Sequence, residues 1–229
     1  MTSQTHITPE LFKFFRELKR KNNREWFQKN KSRYEAVVRD PLLEFISEFA
    51  PELHKLSPYL VADPRPVGGS LFRIYRDVRF SKDKTPYKTA AGVHFPHEDR
   101  KSVHAPGYYL HLEPGTVYAG GGIWRPEPAT LHRVRDALVA DPKGWKRAVS
   151  GKAFKAQCTL DGESLKRPPK GYDPDHPLIE DLKRKDFVAF VKFTEKQACE
   201  KDFMKALAAS YQMMARFTAY LTRAVGATW

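Results

Sequence analysis

The strongest constraint on the fold is a change in apolar spacing along the chain. Over the first quarter, apolar residues recur at helical intervals: Leu11, Phe14, Phe15 and Leu18, then Trp26, Phe27, Tyr34, Val37 and Val38, then Leu42, Phe45, Ile46 and Phe49. Thr8-Pro9 reads as the cap and first residue of a helix, and Lys21-Asn22-Asn23 as its interruption. Asp40-Pro41 caps a third helix or kinks a long one, while Pro51 and Ser57-Pro58 break the pattern. The middle of the chain switches to short strand-like runs at 71–75, 89–95, 107–113 and 116–124. Glu113-Pro114-Gly115-Thr116 has the residues of a type II turn, so the last two form a hairpin. Gly120, Gly121 and Gly122 interrupt its second strand, which demands close approach of another backbone or a ligand.

Helical spacing returns at 128–140 and after Asp141-Pro142. Residues 151–175 read as a long basic surface loop, and Asp175-His176-Pro177 as the start of a short helix ending near Lys183. The stretch 187–193 is apolar at nearly every position, so it is predicted to be a central or doubly covered strand. Thr194 and Gln197 form a capping box for a C-terminal helix with Leu207, Tyr211, Met214, Phe217 and Leu221 on one stripe. Strands clustered between helical ends predict an α+β fold: a mainly antiparallel sheet packed against N-terminal helices and a long C-terminal helix. The expected organisation is one domain spanning residues 1–229.

At 41% hydrophobic and 13% aromatic residues, the chain has enough apolar surface to exclude wholesale disorder. Cys158 and Cys199 give neither a disulfide framework nor zinc-ligand spacing, and they suit a reducing compartment. The N-terminal residues lack the basic and apolar blocks of a secretory leader, and no apolar run approaches membrane-spanning length. A cytoplasmic protein without membrane partners is expected. The net charge of +13 is segmental: residues 13–39 hold ten basic and three acidic side chains, 65–88 seven and two, and 143–170 eight and two. If folding joins these segments, the surface attracts anions; left apart, they serve general solubility.

Residues 73–88 concentrate the chemistry. Arg73, Arg76, Arg79, Lys84 and Lys88 surround Asp77, Ser81, Thr85 and Tyr87, a set of cations and hydroxyl donors matched to carboxylate or phosphate oxygens. Asp77 is expected to orient an arginine, with Ser81 and Tyr87 donating further hydrogen bonds. This reading gives a binding protein for a small anionic, phosphorylated ligand, and an enzyme if Asp77 or His176 carries a proton on it. An internal Arg–Asp network that fixes strand geometry without a ligand is the structural alternative.

The segment resembles the R-x-x-R-D-x-R-F-S-x-x-K-x-P-Y-K signature of a widespread bacterial family of conserved hypothetical proteins, and Arg73 through Lys88 match each fixed position. Asn22-Asn23-Arg24-Glu25-Trp26-Phe27, Pro106-Gly107-Tyr108-Tyr109, the glycine run and Gly171-Tyr172-Asp173-Pro174-Asp175-His176-Pro177 are similar to other blocks of that family. The resemblance covers nearly the whole chain and implies no activity, ligand or cofactor.

Other chemistries fit less well. Ser81-Lys82-Asp83-Lys84 has the Ser-x-x-Lys spacing of acyl enzymes, but Pro86 disfavours helix at Thr85 and no Ser-Asp-Asn follows. His94, His97, His104 and His111 lie near Glu98, Asp99 and Glu113, and alternation puts Tyr109, His111 and Glu113 on one strand face; no metal-ligand spacing results. His176, between Asp175 and Pro177, reads as a general base or as a helix cap. No dinucleotide or P-loop fingerprint occurs, so no cofactor is implied. Nucleic acid is the alternative partner, since Trp26, Phe27, Tyr34, Phe72, Tyr75, Phe80 and Tyr87 interleave with the basic segments.

Overall fold

The computed structural model describes residues 5–101 and 104–229; the first four residues, part of the stretch that argues against a leader, lie outside it. Helix α1 (Pro9–Arg20) starts with Pro9 in its first turn, although the Thr8 side chain makes no capping bond. Asn23 caps α2 (Arg24–Lys29) by accepting the Trp26 N–H at 2.9 Å. Helix α3 (Lys31–Tyr34) passes through a π-helical turn at Glu35–Arg39 into α4 (Asp40–Leu56). Pro41 therefore sits inside one long helical run, where the wider turn before it accommodates the missing N–H. Pro51, expected to break the helix, is also internal. The residues around it explain this: Phe49 and Leu53 are buried, and Phe49 packs 5.3 Å from Phe95 and 5.9 Å from Tyr211, offsetting a proline cost of about 3 kcal/mol.

Strands β1 (Ala91–Pro96), β2 (Gly107–Glu113) and β3 (Thr116–Ile123) form an antiparallel meander. The β2–β3 turn places Gly115 at φ +82°, as its type II sequence requires. Helices α5 (Pro128–Ala140), α6 (Pro142–Val149) and α7 (Lys152–Gln157) follow, then β4 (Thr159–Asp161), α8 (Ile179–Leu182) and β5 (Phe187–Phe193). The five strands are ordered β1-β2-β3-β5-β4, each neighbouring pair antiparallel. Helices α9 (Glu195–Ala198) and α10 (Phe203–Ala224) close the described chain, giving the α+β architecture.

Four local expectations change. The predicted strand at 71–75 is reduced to isolated bridges, Leu71 to Val93 and Tyr75 to Tyr87, because the chain leaves the sheet edge and pairs with its own continuation. Residues 151–175 contain α7 and β4, anchored where Phe154 packs 5.7 Å from Phe217. The capping box at Thr194 forms but closes only the four-residue α9; α10 starts separately. The helix expected at Asp175 begins later, at Ile179.

The inner face of the sheet carries Phe95, Tyr108, Leu110, Ala119, Phe187 and Ala189, all buried. Against it lies α10, whose Leu207, Tyr211, Met214, Phe217 and Leu221 are inaccessible to solvent. Gly121 permits this contact: a Cβ there would lie 2.9 Å from the Tyr108 ring and 3.3 Å from Thr218 Oγ1. The close-approach role expected of the glycine run is thus met by backbone and helix. Among the described residues, no helix is long and apolar enough to cross a membrane.

Candidate functional site

Residues 73–88 form an irregular hairpin. Lys88 N–H donates to Ile74 O at 2.8 Å, Arg76 N–H to Pro86 O at 2.9 Å, and Ser81 N–H to Val78 O at 3.3 Å near the tip. The hairpin is anchored by a block distant in sequence. Asn22 uses both amide atoms on the Tyr87 backbone, donating to its carbonyl at 2.9 Å and accepting its N–H at 3.1 Å. The Tyr87 ring then stacks 4.1 Å from Phe27 and is 2% exposed. Tyr87, expected to bond a ligand, has its ring in the core.

The two acids of the hairpin are each matched to an arginine. Asp77 accepts from Arg79 Nη2 at 2.7 Å and Nε at 3.0 Å, which holds its pKa below the ordinary carboxylate range. Both partners are exposed, so the pair adds little stability. Asp83 accepts from Arg76 and from Thr85, and the Arg76 hydrogen bond is the main reason its pKa falls to about 2. Arg76 also donates to Thr85 Oγ1. Lys84 Nζ donates to Val78 O at 3.0 Å, tightening the tip, where Ser81 is half-buried and Phe80 is 96% exposed.

The root of the hairpin differs. Lys88 Nζ donates to Arg73 O at 2.9 Å and lies over the Phe72 ring. Burial, then the neighbouring Arg73 charge, pushes the Lys88 pKa down. Among the described residues, neither Arg73 nor Lys88 has a carboxylate within ion-pair distance. Phe72 continues onto the outer face of the sheet, 5.9 Å from Tyr109 and 6.0 Å from His94. There the alternation of β2 places three polar side chains in line. Tyr109 Oη meets His111 Nδ1 at 3.1 Å, and His111 Nε2 meets Glu113 Oε2 at 3.3 Å. Thr89 Oγ1 donates to Glu113 Oε1 at 3.3 Å, closing a ring of contacts from Lys88 through Phe72, Tyr109, His111 and Glu113 back to Thr89.

This ring is half-buried. Burial pushes the Tyr109 hydroxyl well up and the His111 imidazole down, while Glu113 partly restores the His111 proton affinity. Tyr118 stacks on His111 at 4.8 Å and fixes its plane. Gly92 makes room beside them, since a Cβ there would collide with the Tyr109 hydroxyl. The arrangement sets Arg73 and Lys88 beside a hydrogen-bonded line of Tyr109, His111 and Glu113.

His176 lies elsewhere. Its Nδ1 accepts the Leu178 N–H at 3.1 Å, and Asp173 accepts the Asp175 N–H rather than meeting the ring. No bond joins His176 to the hairpin among the described residues. His97 is fully buried, bonded to Thr228 O at 2.7 Å. Among the described residues, no three His, Cys, Asp or Glu side chains are placed to hold a metal together. Burial raises the Cys158 thiol to about 11, away from thiolate chemistry at neutral pH. Of the aromatics that suggested nucleic-acid stacking, Phe27, Tyr34 and Tyr87 are core, whereas Phe72, Tyr75 and Phe80 are exposed.

In the sequence, alternation sets Tyr109, His111 and Glu113 on one strand face without metal-ligand spacing and without a link to the motif. The period-two spacing was the available signal; the junction through Phe72 and Thr89 had none, because it depends on where the hairpin leaves β1.

An antiparallel sheet with one helix-covered face and one half-open face, crossed at its edge by an arginine-rich hairpin, defines an α+β protein with a polar site on its open face. The chain belongs to the DUF2461 family of conserved hypothetical proteins, whose model matches residues 10–220. A comparison with curated proteins gives no match.

Proposed function

We propose that the protein binds a small anionic ligand where the hairpin root meets the outer face of the sheet. The observation behind this reading is the adjacent Arg73 and Lys88 pair, which among the described residues has no carboxylate within ion-pair distance, while Asp77 and Asp83 are bonded to Arg79 and Arg76. An anion between two like charges relieves their repulsion and restores the Lys88 proton affinity. Arg73 and Lys88 hold the charged group, Phe72 and Tyr109 contact its body, and Tyr109 backed by His111 and Glu113 exchanges a proton with it. Arg79, Lys84 and Ser81 lie toward the tip and steer the anion. Phosphate esters are the favoured class, since arginine and lysine together suit a dianionic tetrahedral group.

The test is thermal unfolding with a panel of phosphate esters. Saturable stabilisation is expected in the parent protein and in Arg79→Gln, with loss in Arg73→Gln/Lys88→Gln. No response in the parent, or an equal response in the double variant, would sink the proposal. The Arg76–Asp83–Thr85 contact favours a second, structural role for the outer hairpin: Arg76→Ala then lowers stability and leaves ligand affinity unchanged.

A further inference from the structure

A separate cavity of about 360 Å³ opens between the end of β3, the segment after β4, the entry to β5 and α5. Its walls include Arg125, Arg135, Glu163, Lys185 and Asp186. Arg135 is 5% exposed, yet among the described residues it forms no ion pair. Its Nε donates to Leu182 O at 2.8 Å and its Nη2 to Arg184 O at 3.1 Å. Those bonds satisfy carbonyls at the end of α8 and account for two donors. Neither bond supplies a negative charge, so among the described residues the guanidinium has carbonyl partners but no carboxylate.

The nearby acids are occupied. Asp186 is 5% exposed, and its two oxygens accept the Arg125 N–H at 2.6 Å and the Glu163 N–H at 3.0 Å. Glu163 pairs with Lys185 at 2.9 Å. Arg125 makes no ion pair either; its guanidinium lies 4.6 Å from the centre of the Trp124 ring, and that ring is 64% exposed. Arg125 also has φ +50°, the one positive φ outside glycine among the described residues. Such a conformation is costly for an arginine and persists where surrounding contacts impose it, often at ligand sites. Asp186 imposes it here, holding the Arg125 backbone at the cavity wall.

We propose that this cavity is a second binding site, taking a small molecule whose phosphate or carboxylate group is held between Arg125 and Arg135. The volume lies within the roughly 300–1,000 Å³ range of small-molecule pockets. Leu131, Leu165 and Pro126 supply apolar wall for the body of the ligand, and the Trp124 ring, against the Arg125 guanidinium, reports on that wall. Arg125, Arg135 and Lys185 outnumber Glu163 and Asp186 in the wall, and neither Arg125 nor Arg135 is in an ion pair among the described residues, which gives the site its selectivity for oxyanions; it works independently of the hairpin root.

Proton–nitrogen NMR of the Trp124 indole and Arg125 Nε signals tests this, with phenyl phosphate and benzoate as probes at millimolar concentration. Saturable shifts with either probe are expected, and the stronger one identifies the oxyanion. Arg125→Gly removes the guanidinium while suiting the positive φ, so the variant stays folded and its Kd rises about tenfold, the loss of one charge-assisted hydrogen bond. Arg135→Met, where it folds, loses binding; Arg73→Gln/Lys88→Gln keeps it. Absence of saturable shifts with both probes, or unchanged affinity in Arg125→Gly, would overturn the proposal.

Discussion

Tyr108 and Tyr109 are neighbours on one strand, and the pleat sends them to opposite fates. Tyr108 points inward, stacks 4.4 Å from Tyr211 and donates to Tyr211 O at 3.2 Å, with no solvent exposure. Tyr109 points outward, half-buried, with its hydroxyl on His111. The inner face is a dry aromatic contact against α10, where shape decides stability. The outer face retains a line of titratable groups near Arg73 and Lys88, which are in no ion pair among the described residues. One strand thus packs the core on one side and presents polar groups on the other, and each side can be altered without the other.

The largest effect should come from truncating the two tyrosines. Tyr108→Ala is expected to cost about 3–5 kcal/mol in urea unfolding, through lost burial and a cavity under α10. Tyr109→Ala should cost no more than about 2 kcal/mol, because its ring is only partly removed from water. Equal costs would abolish the division of labour between the faces. A smaller change is expected on the inner side at Tyr211, whose buried hydroxyl has no hydrogen-bond partner among the described residues. Tyr211→Phe should stabilise the fold by about 1 kcal/mol, measured by the same unfolding midpoint; a loss would show that this hydroxyl has a partner in solution.

The smallest effect concerns acidity on the outer face. His111 has a folded pKa below its ordinary 6.5, so the unfolded chain takes up the proton more readily. Its contribution to stability is therefore full above pH 6.5 and declines as the pH falls toward the folded value. Glu113→Gln removes the group that raises the His111 proton affinity, so the His111 midpoint in an NMR titration should fall further. Its stability should then decline over a wider range below pH 6.5. A midpoint that stays put or rises would show that Glu113 does not couple to His111.

The elements most legible in the sequence are those whose apolar spacing is met by a single partner surface. The α10 stripe and the β2–β3 turn are of this kind: each residue pattern specifies its own geometry. Pro51 misleads because tertiary burial of Phe49 and Leu53 outweighs a local helix penalty, which no local window records, whereas Pro41 takes the second of its two expected roles, inside one long helical run with a widened turn before it. At the motif, residue types announced an anionic partner, but pairings between side chains decide which cations remain available. Asp77 and Asp83 lie two and seven residues from their arginines, and nothing in the spacing tells that Arg79 and Arg76 are matched while Arg73 and Lys88 are left. Tyr87 shows the same limit, since its place against Phe27 requires Asn22 to meet the hairpin from sixty-five positions away. The cavity wall was silent altogether, as Arg125 and Arg135 belong to no shared motif and meet only through the β3–α5 connection.

The way the sheet ends also governs how copies of the chain behave toward one another. At one margin β4 has three residues, and at the other β1 is met by a single bridge from Leu71 to Val93, with a second from Leu60 to His97 just past its end. Neither margin offers a long row of free backbone groups on which a second molecule could add a strand. Charge repulsion between copies at +13 fades as salt shortens its reach, but a blunted sheet edge does not. Resistance to strand-mediated clumping is therefore built into the backbone and holds at high ionic strength.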